Sequence, residues 1–245
     1  MKKNSNSDVK SLSKKYNKWW QNNQSYSHHL PFNDRRVIRS YRKIISFLTR
    51  SKEGCLLDVC CGKGNFLSYL EDNSNFELFG IDISKIAIEE ARRYLKKAKV
   101  FVGNIQNLPF EDNYFDYISC LGSLEHLSQP LEGAKEISRL LKPQGKALIL
   151  VPNLFFLGHI YMALRYGSYP SEGRQQFSEM FSTLEGWKNL LEEGNLEIVR
   201  VHKYNEIWAT KKVSKFLIFI WNLIKPFVPR GFSYAFIFIC KKKIR

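Results

Sequence analysis

Between Cys55 and Val151, short apolar runs alternate with segments whose apolar residues recur every three or four positions. Cys55–Val59 (CLLDV), Phe76–Ile81 (FELFGI), Val100–Val102, Tyr114–Cys120 and Lys146–Val151 (KALILV) read as strands. Helical patterns fill the gaps. One covers Lys63–Asp72, and one follows Ser84, a candidate N-cap, with Ile86, Ile88, Ala91 and Leu95 along it. A third runs from Pro130 to Leu141 and is stopped by Lys142-Pro143-Gln144-Gly145. Strands and helices alternating at this spacing call for right-handed crossovers and a parallel, doubly wound α/β sheet.

Upstream, Tyr16, Trp19, Trp20, Val37, Tyr41, Ile44, Ile45 and Leu48 predict two helices within 16–50, divided near Pro31, behind a disordered basic lead over 1–15. After Val151 the alternation pauses for about 30 residues. It resumes at Ser182-Thr183-Leu184-Glu185, which reads as a capping box opening a helix over Leu184–Glu193. Leu196–Lys203 and Phe232–Cys240 read as the last two strands. With no repeat and no second boundary, residues 16–245 form one expected domain.

The hydrophobic share of 44% and charged share of 25% exclude wholesale disorder. The net charge of +15 is unusual, and its distribution matters more than its size. Residues 1–50 carry 12 Lys/Arg against two acids, residues 51–204 carry 17 against 20, and residues 205–245 carry nine against Glu206 alone. A mildly acidic centre between basic ends speaks against a nucleic-acid channel through the central site. It fits basic margins that meet an anionic surface. The five cysteines are odd in number and show neither CxxC nor Cys/His spacing, so the expectation is no disulfide framework, no metal site, and reducing, cytosolic surroundings. The N-terminus lacks the apolar core of a secretory signal. Val213–Val228 is too short and too interrupted to span a membrane.

In a doubly wound sheet, ligands bind outside the carboxyl ends of the strands near the point where strand order reverses. The first strand ends in Asp58-Val59-Cys60-Cys61-Gly62-Lys63-Gly64, whose glycines permit a tight turn and a close approach to a ligand. The second ends in Asp82, placed to accept two ribose hydroxyls. A dinucleotide fingerprint would want a small residue at Leu67, and has no use for the acid at Asp58. Another adenosine-containing cofactor therefore competes with NAD.

Asp58-Val-Cys-Cys-Gly-Lys-Gly, Gly80-Ile-Asp-Ile-Ser, Gly103-Asn104-Ile-Gln-Asn-Leu-Pro-Phe, Phe115-Asp-Tyr, Leu124-Glu-His126 and Leu141-Lys-Pro-Gln-Gly145 stand in the order and spacing of a known family. The chain resembles the class I S-adenosylmethionine-dependent methyltransferases, most closely their ubiquinone- and menaquinone-biosynthesis-like branch. The match is strong over 52–152 and looser over 175–203. The resemblance implies a Rossmann-like sheet of seven strands in the order 3-2-1-4-5-7-6, the last antiparallel, and S-adenosylmethionine as cofactor. It implies that Cys60, Gly62 and Gly64 shape the loop facing the methionine part, steadied by Asp58. Asp82 would hold the ribose and Ile83 would pack on the adenine. Asn104 and Ile105 would meet the adenine edge and face, with Leu121 lining the pocket. The family usually has Gly at Cys60 and Asp at Asn104. Cysteine is tolerated if φ stays negative, and the Asn amide oxygen still accepts from the adenine amine.

A sulfonium cofactor is already activated, so in-line positioning matters more than acid–base machinery. An oxygen or nitrogen acceptor still needs a base. His126, just past the fourth strand, and His159, after the fifth, are the candidates, each weighed against an ordinary structural histidine. His28 and His29 could lie near the cofactor mouth, and His202 is expected to be structural. The aromatic residues over 153–187, with Phe155, Tyr161, Phe177 and Phe181 among them, form the expected helical substrate cap, joined by Tyr16 and Trp20. The apolar, Lys/Arg-bracketed stretch 211–230 within the 205–230 insertion reads either as an interfacial membrane helix or as a helix packed on the body or a dimer interface. The leading function is methylation of a small hydrophobic or lipid-linked acceptor at a cytoplasmic, peripherally membrane-associated site. Methylation of RNA or protein, and a non-catalytic adenosyl-binding module, are the alternatives. Against nucleobase methylation, Leu121-Gly122-Ser123-Leu124 stands where base-amine methylases carry an Asn/Asp-Pro-Pro-Tyr tetrapeptide.

Overall fold

The computed structural model describes residues 6–22, 35–166, 180–206 and 215–244. Seven strands form one sheet: β1 (Glu53–Val59), β2 (Asn75–Asp82), β3 (Lys99–Val102), β4 (Phe115–Leu121), β5 (Leu141–Pro152), β6 (Leu196–Tyr204) and β7 (Ala235–Lys242). Their order is β3-β2-β1-β4-β5-β7-β6, and β7 alone runs antiparallel to its neighbours, as the resemblance implied. The central strands lack polar alternation because helices cover both faces and both sets of side chains are buried. Leu57, Phe236 and Phe238 enter one core with Ile137 and Trp187. Leu56, Ile237 and Ile239 enter the other with Ile44, Leu67 and Ile88. The two-residue period thus feeds two cores from one strand.

The helices are α1 (Asn6–Asn22), α2 (Arg35–Leu48), α3 (Asn65–Asn73), α4 (Lys85–Tyr94), α5 (Pro130–Leu140), α6 (Leu157–Tyr166), α7 (Leu184–Glu193) and α8 (Lys215–Ile224). Ser84 caps α4 as expected, its Oγ accepting the Ala87 N–H at 3.3 Å. The cap of α7 is Thr183 rather than Ser182. The Ser182 backbone is held by a bridge to Asn153 and accepts the Leu154 N–H, and the helix covers Leu184–Glu193 as expected.

Two elements depart from the expected pattern. The 1–15 lead is not disordered from Asn6 on. Val9, Leu12, Tyr16 and Trp19 make one helical stripe, hidden in the sequence by the Ser, Lys and Asn between them. Ser13 Oγ donates to Ile83 O at 3.0 Å, and Ser84 Oγ donates to Asn17 Oδ1 at 2.8 Å, so α1 is tied to the end of β2. The pause after Val151, where a helical cap is expected, contains α6, whose apolar residues do not face a core. Leu157 is 46%, Tyr161 61% and Leu164 83% exposed.

Candidate functional site

The sheet reverses order between β1 and β4, and the two strands are joined there by their side chains as well as their ladder. Asp58 and Ser119 face each other in register, and Ser119 Oγ donates to Asp58 Oδ1 at 2.6 Å. Beyond this point a cavity of about 620 Å³ opens over the carboxyl ends of the strands, a size suited to a small-molecule ligand. Its floor holds Asp58, Cys60, Gly62, Asp82, Ile83, Asn104, Ile105 and Leu121, all of them picked out from sequence. Gly64 does not reach it. This glycine stands at the N-cap of α3 with φ 75°, where a Cβ would lie 2.7 Å from Leu95 Cδ1, so it shapes the loop from behind.

Asp82 does more than end a strand. Its Oδ2 accepts the Gly62 N–H at 2.9 Å and its Oδ1 accepts the Ser84 N–H at 2.8 Å. One carboxylate thereby clamps the glycine loop to the start of α4. Both oxygens retain acceptor capacity, since a carboxylate offers about four lone-pair sites. Burial pushes Asp82 up to about 6, opposed by the Ser84 and Gly62 N–H groups. Burial pushes Asp58 up to about 7, with the Ser119 hydrogen bond lowering it and the nearby Asp82 charge raising it. Cys60 and Cys61 are held well above the usual thiol range by burial and by Asp82 and Asp58, so neither is an activated nucleophile.

The condition of a negative φ at Cys60 is not met: φ is 56°, in the left-handed region that favours glycine. The cause is the loop path. Cys61 N–H donates to Ile81 O at 2.8 Å, which turns the chain sharply over the end of β2. At Gly62 (φ 54°), a Cβ would sit 3.1 Å from the Trp20 ring, so the missing side chain lets α1 close down on the loop.

The cavity has two chemically different ends. On the β2–β3 side lie Asp82, Ile83, Asn104 and Gln106. Asn104 Oδ1 accepts the Gln106 N–H at 3.2 Å, which turns its amide along the rim. On the β5–β7–β6 side lie Tyr41 and Ile44 of α2, with Leu150, Tyr204, Tyr234 and Ala235 from the strand ends. Tyr16, Trp19 and Trp20 of α1 close the roof.

The substrate cap therefore differs from the expectation. Tyr16 and Trp20 line the cavity, but Phe155 and Tyr161 are 49% and 61% exposed and are not among its walls. Phe181 is half-buried outside it, and Phe177 lies outside the described residues. The aromatic wall comes instead from Tyr41, Tyr204 and Tyr234, contributed by three separate elements. Only register could have exposed the last two: Tyr204 pairs with Ala235, which pairs with Pro152.

His126 lines the cavity in the turn after β4. Its Nε2 is 3.9 Å from Glu125 Oε1, and Glu125 is itself a buried wall residue. His159 falls on α6, its side chain outside those described, and His28 and His29 are also outside. His202 stacks on Phe47 at 3.9 Å, away from the cavity, which is the structural role expected of it.

A seven-stranded sheet of this order, with a glycine loop and a strand-ending acid at its reversal point, defines the class I S-adenosylmethionine-dependent methyltransferases. The chain belongs to the Methyltransferase domain family, whose profile matches residues 26–201. It is 28% identical over 183 residues to the demethylmenaquinone methyltransferase of Bacillus licheniformis, covering 66% of this chain and 78% of that protein. It is 32% identical over 122 residues to the Methanocaldococcus jannaschii protein MJ0638, and there it spans about half (51%) of that protein's length and 50% of its own. In fold it is similar to a chain of the complex between the Haloferax volcanii Trm112 methyltransferase activator and a methyltransferase. That likeness has a TM-score of 0.71 at 16% identity, covering 96% of this chain and 98% of the other. The PH0226 protein of Pyrococcus horikoshii OT3 matches with a TM-score of 0.65 at 21% identity, over 92% and 99%.

Proposed function

We propose that this chain moves a methyl group from S-adenosylmethionine to a small hydrophobic acceptor by direct in-line displacement. The observation that carries the reading is one continuous cavity with a polar end over β2 and β3 and an aromatic end over β5, β7 and β6. The residues present fit the cofactor. Asp82 keeps acceptor capacity for two ribose hydroxyls, Ile83 offers an apolar face to the adenine, and Asn104 Oδ1 can take a second hydrogen bond from its amine. Ile105 would pack against the ring, and Leu121 would line the path to the methyl. The loop Cys60–Gly62 would hold the methionine part, with Asp58 anchored by Ser119 beneath it.

When bound, the cofactor supplies a methyl group already activated on sulfonium sulfur. What remains for the protein is alignment and exclusion of water. The roof of α1 performs the second task, and the tyrosine wall performs the first by holding a flat or apolar acceptor against the cofactor. Where the acceptor atom is oxygen or nitrogen, a proton must leave, and we assign its removal to His126. The likeness to a demethylmenaquinone methyltransferase supports an apolar, ring-bearing acceptor.

Isothermal titration with S-adenosylmethionine tests the cofactor site. The wild type should bind, and Asp82→Ala should bind at least about 100-fold more weakly, the worth of two hydrogen bonds to a charged acceptor. Asp82→Asn should fall between. Wild type that takes no S-adenosylmethionine overturns the reading, as does an unchanged affinity in Asp82→Ala.

A further inference from the structure

Eleven of the sixteen large hydrophobic side chains exposed among the described residues fall in two stretches, 154–164 and 219–232. The most exposed are Leu164 at 83% and Phe227 at 84%, with Phe219 at 58% and Leu223 at 55%. The stretches are neighbours in space. Phe156, which leads into α6, packs edge-on against Trp221 of α8 at 5.7 Å and against Tyr234 at 5.2 Å. Tyr234 is a wall of the aromatic end of the cavity. Trp221 Nε1 donates to Asn205 O at 2.9 Å, and Asn205 Oδ1 accepts the Tyr234 N–H at 2.9 Å, so α8 is pinned to the cavity rim.

Exposed apolar area of this extent marks a surface that meets something other than water. The charges say what. No Asp or Glu occurs from 137 to 171 or after Glu206, whereas Arg165, Lys215 and Arg230 flank the two helices, and Lys225 is paired with Glu206 at 2.8 Å. An apolar face with an excess of cations at its edge is complementary to an anionic bilayer, where apolar side chains enter the acyl boundary and Lys/Arg meet headgroups. Two copies of the chain face to face would bring like charges together. No helix among the described residues is long and apolar enough to cross a membrane, so contact would be at the interface.

We propose that α6 and α8 form a docking surface for anionic membranes, seated beside the aromatic end of the cavity so that the acceptor enters from lipid. The docking stands on its own observations, while entry of the acceptor rests on the methyl-transfer reading.

Flotation with phosphatidylcholine vesicles, with and without about 30% phosphatidylglycerol, tests it, alongside titration with S-adenosylmethionine on the same preparations. The full chain should float with the anionic vesicles and be released by raised salt. Leu223→Asp with Phe227→Asp should cut vesicle binding at least about tenfold, as loss of two interfacial apolar side chains requires. Because both side chains face solvent, cofactor affinity should be unchanged. Cofactor binding without flotation overturns the docking surface and leaves the methyltransferase reading intact. Flotation without cofactor binding does the reverse. Flotation untouched by the double variant, or a dimer in sedimentation that the variant abolishes, also overturns the docking surface.

Discussion

Asp58 is a carboxylate at the bottom of the cavity, 4% exposed, and held by one hydroxyl. Its titration near 7 rather than at the ordinary 3.8 makes the free protein's stability depend on pH. A carboxyl that titrates higher when folded holds its proton better in the folded state. Its contribution is therefore fullest below about pH 4 and is lost as pH rises from 4 to 7. The difference between the two titration points corresponds to about 4 kcal/mol at pH 8, the cost of keeping that charge buried beside Asp82. Asp58→Asn has the shape of the protonated acid and keeps an oxygen to accept from Ser119. Variant and wild type should be equally stable near pH 4, and the variant more stable at pH 8 by up to about 4 kcal/mol. For a domain of this length that is on the order of 10 °C in melting temperature. Urea titrations of both proteins at several pH values between 4.5 and 8.5 read the difference directly. A difference that stays flat with pH, or a variant less stable at pH 8, refutes the argument. The same substitution should weaken S-adenosylmethionine binding, so that stability and cofactor affinity move in opposite directions.

The left-handed backbone at Cys60 predicts that Cys60→Gly is more stable than Cys60→Ala by about 1 kcal/mol in urea melts, because alanine keeps the strain and glycine removes it. Equal stabilities would place the loop in another conformation. At Gly80, a Cβ would fall 2.5 Å from Leu67 Cδ1 and 3.0 Å from Cys61 Sγ. Gly80→Ala should therefore cost about 1–3 kcal/mol of stability and also weaken cofactor binding, since α3 and the glycine loop must shift together. A neutral effect on both would show that the packing there yields.

The order of strands and helices from Cys55 to Val151 was legible because each element's burial is set locally, by a period of two or of three to four in its own apolar residues. The strand-end residues Asp58, Gly62, Asp82 and Asn104 were legible for a related reason: in an alternating α/β chain, every strand end falls at the same edge of the sheet. Two things escaped. The start of α1 was hidden because its stripe is packed by only four residues among polar ones. The aromatic wall was sought in 153–187, where aromatic residues are dense, although density does not say which way a side chain points.

Sequence alone thus determined the alternating strands and helices, the strand-end residues that line the cavity and the uneven charge. Tertiary structure decided the rest. Tyr41, Tyr204 and Tyr234 are far apart along the chain, and only the antiparallel insertion of β7 between β5 and β6, with α2 packed across, brings them to one wall. The left-handed turn at Cys60 likewise follows from a hydrogen bond between Cys61 and Ile81, which no local propensity encodes. Contacts between residues distant in sequence are energetic consequences of the packed whole, and a linear pattern carries no record of them.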